Sequence, residues 1–213
     1  QTGTFLENEL VLLQRLVFGS VDQQQVYEEL SAQVRKCISA GIRPTHLDSE
    51  KHLHMFPRIM KVVIQIAEDF GIAAIRCARE KIFYDLPAAW RRLRNRRFLA
   101  LLILNPMFFN SSARLLAQSG AATADHFFGL VETGNMRLET YRRFLPYLKA
   151  GVTEFMVHPG KRRRKDNSPY DKSYGWPEEF EALVDPALKA LIEQERGQLI
   201  HWGEVRQCLA KQQ

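Results

Sequence analysis

The spacing of apolar residues along the chain predicts a series of amphipathic helices. Within residues 21–40, Val26, Leu30 and Val34 recur at intervals of four, so they lie on one face of a helix. Asp22, just before this pattern, is a suitable N-cap. Similar spacing predicts helices at residues 10–18, 57–70, 87–104, 138–149, 177–184 and 186–194, with another that follows Asn105-Pro106 and ends at Gln118 and a short one at the C-terminus.

Short apolar runs between these helices predict β-strands. They lie at residues 44–48, 72–77, 125–130, 153–157 and 199–202. Strands separated by helices of this length indicate parallel β-α units. No internal repeat or low-complexity linker divides the chain, so residues 1–213 are predicted to form a single α/β domain, barrel-like rather than doubly wound. No glycine-rich fingerprint follows a strand, which leaves nucleotide binding without support.

Composition and charge narrow the class of protein. The 213 residues are 46% hydrophobic and 25% charged, which is typical of a globular domain with one core. A net charge of +6 raises the question of a nucleic-acid partner. The excess lies in two clusters, 91–97 and 161–165, without interleaved aromatic residues or zinc-finger spacing, so we predict solvated basic faces and no nucleic acid. Three widely spaced cysteines without a C-x-x-C pair indicate a reducing compartment, and we predict a cytoplasmic protein.

The most apolar run of the chain, residues 98–104, is far shorter than the roughly 20 residues that span a bilayer. Its position after an arginine cluster leaves a membrane-surface helix open, although a buried helix face is the preferred interpretation. No secretory signal pattern opens the sequence.

The stretch T-H-L-D-S-E-K-H-L-H-M-F-P, residues 45–57, concentrates ionisable side chains at the end of a predicted strand. Side chains alternate along a strand, so His46, Asp48 and, if the strand persists, Glu50 share one face. Chemistry in parallel α/β folds gathers at the carboxyl ends of strands. Histidine and carboxylate together suit a divalent metal ion, and the alternative is a buried polar network that binds nothing.

Residues 45–57 resemble the T-H-x-D-S-H-x-H-x-H signature of the YdjC-type carbohydrate deacetylases. The similarity continues downstream. Residues 71–76 resemble the family's glycine-to-arginine strand, and residues 125–129 (D-H-F-F-G) its D-x-F-x-G segment. Residues 151–160, G-V-T-E-F-M-V-H-P-G, closely match its motif ending in H-P-G. The resemblance therefore extends along the whole chain.

This resemblance implies a metal-dependent hydrolase, with magnesium or zinc, that removes acetyl groups from N-acetylated amino sugars or oligosaccharides. It also implies a distorted (β/α) barrel of the glycoside hydrolase/deacetylase type. The implied catalytic residues are His158, as an acid or transition-state stabiliser, and Asp48 beside the metal. The expected metal ligands are Glu50 and His54, and the expected substrate-binding residues are His46, His52 and Arg76. Apart from the resemblance, Tyr170 and Trp176 are candidates for stacking on a sugar, with a place in the core or at its rim as the commoner role of such rings.

Two departures from the family pattern change these expectations. Glu50 stands where the family has a metal histidine, which favours oxygen-preferring ions; alternatively Lys51 pairs with Glu50 and leaves the metal position empty. The family's A-D-D-F-G and G-x-H-x-x-L motifs are absent from this sequence. We therefore expect a fragment whose barrel is incomplete at its N-terminus, or a degenerate member. In either case this chain by itself would be weakly active or inactive.

A second class of function stays open, that of a non-catalytic carbohydrate-binding or scaffold protein on the same fold. An N-acetylated sugar is the expected partner in both cases. A homodimer is also left open.

Overall fold

A computed structural model of the protein describes residues 11, 14–16, 20–80, 105–161 and 174–211. Several sequence-based expectations lie outside these residues: the helix at 87–104 with its arginine cluster and apolar run, most of the basic loop at 161–165, and Tyr170. No helix among the described residues is long and apolar enough to cross a membrane. The cytoplasmic location and the homodimer stay predictions.

Helices and short strands alternate through the described part of the chain. The helices are α1 (Gln23–Ser39), α2 (Pro57–Asp69), α3 (Asn110–Ser119), α4 (Leu138–Phe144), α5 (Trp176–Val184), α6 (Pro186–Gln194) and α7 (Val205–Ala210). The strands are β1 (His46–Leu47), β2 (Ala74–Ile75), β3 (His126–Phe128) and β4 (Thr153–Phe155). Short 3-10 segments occupy Glu50–Met55, Leu145–Tyr147 and Trp202–Glu204, and a π-helical turn, Asn105–Phe109, leads into α3.

The chain divides into two compact units. The first comprises the described residues of 1–76 and 108–122, and the second those of 77–107 and 123–213. Each is described by itself. The prediction of a single domain over residues 1–213 stays a prediction.

Parallel pairing organises the strands of the first unit. β1 pairs in parallel with β2, with His46 opposite Ala74, and a further parallel bridge joins Ala74 to Ala122. Helix α2 connects β1 to β2, and α3 precedes Ala122. This is the β-α alternation that the sequence predicts, and it brings the carboxyl ends of β1 and β2 side by side.

Helix α2 forms the core of the first unit because its apolar residues repeat with the helical period. Ile59, Val62, Val63 and Ile66 are all buried, while the polar positions between them face solvent. Pro57 occupies the first turn, where its missing N–H costs nothing. This packing fixes the chain that leaves β1.

The second unit is built around the parallel pair β3 and β4, in which Phe128 lies opposite Phe155. Its core contains Phe128, Met136, Tyr141, Phe144, Leu145, Ala182 and Leu188. Gly129 directly follows β3 with a φ of +120°, and a Cβ atom there would lie 2.7 Å from the Met156 carbonyl oxygen. Only glycine allows β4 to pass so closely at this point.

The strand predicted at residues 199–202 is wrong. His201 instead caps a 3-10 turn: its Nδ1 accepts from the Gly203 N–H, and Glu204 accepts from the His201 N–H. These local bonds engage backbone groups that a sheet ladder would need. Within the described ranges the strands form two two-stranded sheets and no closed sheet. The α/β architecture with parallel strands is confirmed, and the barrel stays a prediction.

Candidate functional site

A 3-10 turn with two left-handed residues follows β1, and this turn decides which side chains face inward. Ser49 is extended, and then Lys51 and His52 adopt left-handed backbone conformations with φ of 53° and 55°. As a result His52 and His54 point into the first unit and are buried, whereas Glu50 is exposed. The strand does not persist to Glu50, so the alternation that would have placed Glu50 beside Asp48 ends at Leu47.

Asp48, His52 and His54 form a cluster that can hold a metal ion. One ligand atom from each side chain lies within 4.8 Å of the others. The Nδ1 atoms of His52 and His54 are each 3.7 Å from Oδ1 of Asp48. One carboxylate oxygen and two imidazole nitrogens are a common donor set for a catalytic zinc ion, which keeps a further position open.

The ring of His54 is held in one orientation. Its Nε2 is 2.9 Å from the carbonyl oxygen of Arg76, which can only accept, so Nε2 carries the proton. Nδ1 is then an acceptor, 2.7 Å from the Ser49 hydroxyl, and faces Asp48. Burial lowers the pKa of His54 to about 4, so the ring is neutral at pH 7. Metal-binding histidines are typically held in this way, with the second ring nitrogen bonded to a carbonyl.

Arg76, at the end of β2, forms an ion pair with Asp48 through Oδ2. Burial by itself would raise the pKa of Asp48, but the interaction with the nearby His52 ring and the charge of Arg76 outweigh it and lower the pKa. His46 lies within the field of the same pair. Its pKa is lowered, first by burial and then by Arg76. The cluster therefore combines an ionised carboxylate with the neutral imidazole of His54.

The second unit carries the H-P-G segment, residues 158–160. The His158 side chain is 33% exposed, and its ring meets Tyr174 edge to face with centroids 4.9 Å apart. Tyr174 also lies near Trp176, at 6.1 Å between centroids. Trp176 is half-buried at the start of α5, and its carbonyl oxygen accepts from the Gly160 N–H at 3.0 Å. A partly exposed histidine next to two aromatic rings is suited to contact a polar ligand with flat apolar faces.

A buried carboxylate, Glu179 of α5, supports this segment. It is fully buried and accepts the backbone N–H groups of both Met136 and His158. Glu179 was not among the residues predicted to form the site. The available signal was its position on the same helix face as Ala182, three residues on, which is also buried.

The structure brings together four of the residues predicted to form the site: Asp48, His52, His54 and Arg76. It places Glu50 outside this cluster, so the metal role of Glu50 stays a prediction without support from the geometry. His158 and Trp176 lie together in the second unit. Ser49, which orients His54, was not among the predicted site residues.

These features define an α/β protein with parallel strands and a histidine–carboxylate cluster at a strand end. Comparison with known families assigns the chain to a narrower class. The model of the YdjC-like protein family matches residues 1–194, and the chain belongs to that family.

Individual relatives cover less of the chain. A chitooligosaccharide deacetylase of Escherichia fergusonii is 38% identical over 68 residues, which are 32% of this chain and 27% of that protein. The crystal structure of a candidate cellobiose-phosphate cleavage protein of Enterococcus faecalis V583 matches with a TM-score of 0.54 at 19% identity. That match covers 85% of this chain and 60% of the neighbour, and it supports the fold alone. The matched parts are less than two thirds of either relative.

Proposed function

We propose that the protein is a metal-dependent carbohydrate deacetylase that hydrolyses the N-acetyl groups of amino sugars or their oligosaccharides. The observation that carries the proposal is the Asp48–His52–His54 cluster, in which the second nitrogen of His54 is already bonded to the Arg76 carbonyl. Membership of the YdjC-like family and the similarity to a chitooligosaccharide deacetylase support the reaction class.

The residues present fit a divalent ion, which Asp48 Oδ1, His52 Nδ1 and His54 Nδ1 would hold. Two imidazole nitrogens favour zinc or a similar transition metal over magnesium. A bound ion would supply Lewis acidity toward the acetyl carbonyl and make water a better nucleophile at neutral pH.

The residues of this chain hold the Asp48 carboxylate in place and supply the proton that the leaving amine takes up. Arg76 fixes the Asp48 carboxylate through Oδ2, which leaves Oδ1 directed at the two histidines. In the overall reaction the amide C–N bond breaks, hydroxide from water joins the acetyl carbon, and the amine leaves with a proton. We assign the delivery of that proton to His158, and the contact with the sugar to Trp176 together with Tyr174.

A calorimetric titration tests the metal site. Zinc added to chelator-treated protein is expected to bind with a stoichiometry of one, and Asp48→Asn or His52→Gln is expected to weaken binding at least tenfold. Glu50→Ala is the matched control from the same turn, because Glu50 is exposed and outside the cluster. Zinc binding that survives in Asp48→Asn but is lost in Glu50→Ala would transfer the ligand role to Glu50.

Acetate release from N-acetylglucosamine oligomers tests the reaction. Because the sequence contains no A-D-D-F-G motif, which carries the family's catalytic base, we expect weak or no acetate release by this chain alone. Vigorous release that a chelator abolishes would refute that expectation and support the reaction class.

A non-catalytic carbohydrate-binding protein is the second candidate. The observation that favours it is the internal pairing of the cluster, since Arg76 already binds Asp48 and both ring nitrogens of His54 already have partners. In this case N-acetylated oligosaccharides should bind with the same affinity in zinc and in chelator. An affinity that depends on zinc argues for the enzyme.

A further inference from the structure

We propose that Glu179 is the positioning residue for His158, holding the backbone of the H-P-G segment and presenting a negative charge to the histidine ring. The proposal rests on the proposed function only in taking His158 as the proton donor. The geometric part stands on the contacts within the second unit.

Both oxygens of Glu179 act as acceptors. Oε1 takes the N–H of Met136 at 3.1 Å, and Oε2 takes the N–H of His158. A glutamate is almost never fully buried unless such partners compensate for its lost hydration. Glutamine has nearly the same shape, but its amide group would point an N–H at one of the two backbone N–H groups. The site therefore requires a carboxylate.

The helix itself favours a negative charge at this position. Glu179 lies in the first turn of α5, where unpaired backbone N–H groups give the helix end a partial positive charge. The backbone N–H of Glu179 donates to the Gly175 carbonyl at 2.8 Å, which fixes the side chain relative to the helix start. The charge of Glu179 also affects a neighbouring group. The pKa of Tyr141 is raised, first by burial and then by Glu179.

The carboxylate reaches the functional end of His158 as well as its backbone. Oε2 of Glu179 is 4.0 Å from Nδ1 of His158. A negative charge at this distance stabilises the protonated ring, which is the form that donates a proton. The ring also packs in a T-shaped arrangement against Tyr174, so the histidine has a second contact besides Glu179.

The segment around Glu179 braces the rest of the motif. The Gly175 N–H donates to the Gly134 carbonyl at 2.7 Å, and the Gly160 N–H donates to the Trp176 carbonyl at 3.0 Å. With the bond from His158 to Glu179, the start of α5 is joined to both ends of H-P-G. Movement of Glu179 would therefore displace the histidine directly.

A second buried carboxylate in the same unit is the control that distinguishes a positioning role of Glu179 from a purely stabilising one. Glu80 is 1% exposed, lies in the same unit, and also accepts two backbone N–H groups, those of Leu130 and Val131. Glu179→Gln and Glu80→Gln each remove a buried charge that accepts two backbone N–H groups, but only Glu179→Gln changes the side chain that accepts the His158 N–H.

The experiment compares the two variants by NMR titration of the histidine rings, with His158→Gln to assign the His158 signal. We expect the His158 titration midpoint to move to lower pH in Glu179→Gln and to remain in place in Glu80→Gln. Any measurable acetate release should fall tenfold or more in kcat for Glu179→Gln, with KM changed less than twofold. An unchanged His158 titration in Glu179→Gln, or an equal shift in Glu80→Gln, overturns the proposal.

The titration tests the role of Glu179 separately from the proposed function. If the wild-type chain releases no acetate, the titration still decides whether Glu179 positions His158. If Glu179→Gln does not fold, hydrogen exchange of the His158 amide is measured in the wild type instead of the titration of the variant. We expect that amide to be protected at least a hundredfold, and exchange at an unprotected rate would refute the backbone contact.

Discussion

Replacement of Gly129 by alanine should destabilise the second unit far more than a single methyl group suggests. The residue has a φ of +120°, a region that alanine enters only at a cost of about 1–3 kcal/mol. The new Cβ would lie 2.7 Å from the Met156 carbonyl oxygen and 3.1 Å from the Met156 Cβ. Either the backbone of residue 129 or that of Met156 must move.

Movement of Met156 has its own cost. Its N–H donates to the Phe128 carbonyl at 2.9 Å, directly beyond the β3–β4 pair, and a lengthened bond there loses about 1 kcal/mol. Alanine also restricts the unfolded chain more than glycine does, and this stabilises the folded state by about 0.4–1 kcal/mol. The sum predicts that Gly129→Ala lowers the free energy of unfolding by about 2 kcal/mol.

Gly120→Ala is the matched control. Gly120 also has a positive φ, +74°, but a Cβ there would meet no atom within 4 Å. Only the left-handed conformation opposes alanine, so we expect a loss of about 1 kcal/mol. Urea unfolding followed by circular dichroism measures both variants against the wild type. Equal losses would show that the close approach to Met156 contributes nothing, and would refute the reasoning.

Two further predictions concern buried ionisable groups. Burial lowers the pKa of His54 to about 4 from 6.5, so as the pH falls the unfolded chain takes up this proton before the folded one does. Metal-free protein should therefore keep its full stability above pH 6.5 and lose about 3 kcal/mol between pH 6.5 and 4, a loss that urea titrations should find largely absent in His54→Gln. Oε2 of Glu80 accepts the N–H groups of both Leu130 and Val131, so Glu80→Gln replaces a charged acceptor of two buried donors by a neutral amide oxygen and should cost about 1–3 kcal/mol at neutral pH. An unfolding midpoint equal to that of the wild type in the same urea titration would contradict this second prediction.

The order of elements could be predicted because hydrophobic period and capping chemistry act locally. Asp22 accepts the N–H groups of Gln24 and Gln25 at the start of α1, as its position before the apolar pattern suggests. Helix α2 begins at Pro57 and ends just before Phe70 and Gly71, close to the expected limits. The predicted strands at 44–48, 72–77, 125–130 and 153–157 all contain strands, although each is shorter than expected.

The candidate site could be located from the sequence but not assembled from it. A strand ending at Asp48 was predicted, and β1 ends one residue earlier, but alternation could not foresee the left-handed residues that follow. Those residues turn Glu50 outward and His52 inward. Glu179 escaped notice for a related reason. A glutamate in the first turn of a helix usually faces solvent, and only the contacts with Met136 and His158 show that this one is buried.

The turn after β1 has a consequence for ligand affinity. Lys51 and His52 are held in left-handed conformations, which cost a residue with a side chain about 1–2 kcal/mol each. This cost lowers the stability of the folded protein. An ion that arrives at Asp48 and His52 meets donors that are already ordered, so the entropy of ordering them is not subtracted from its binding free energy. Stability and affinity therefore oppose each other in this segment. A substitution that relaxes the turn would strengthen the fold and weaken the site.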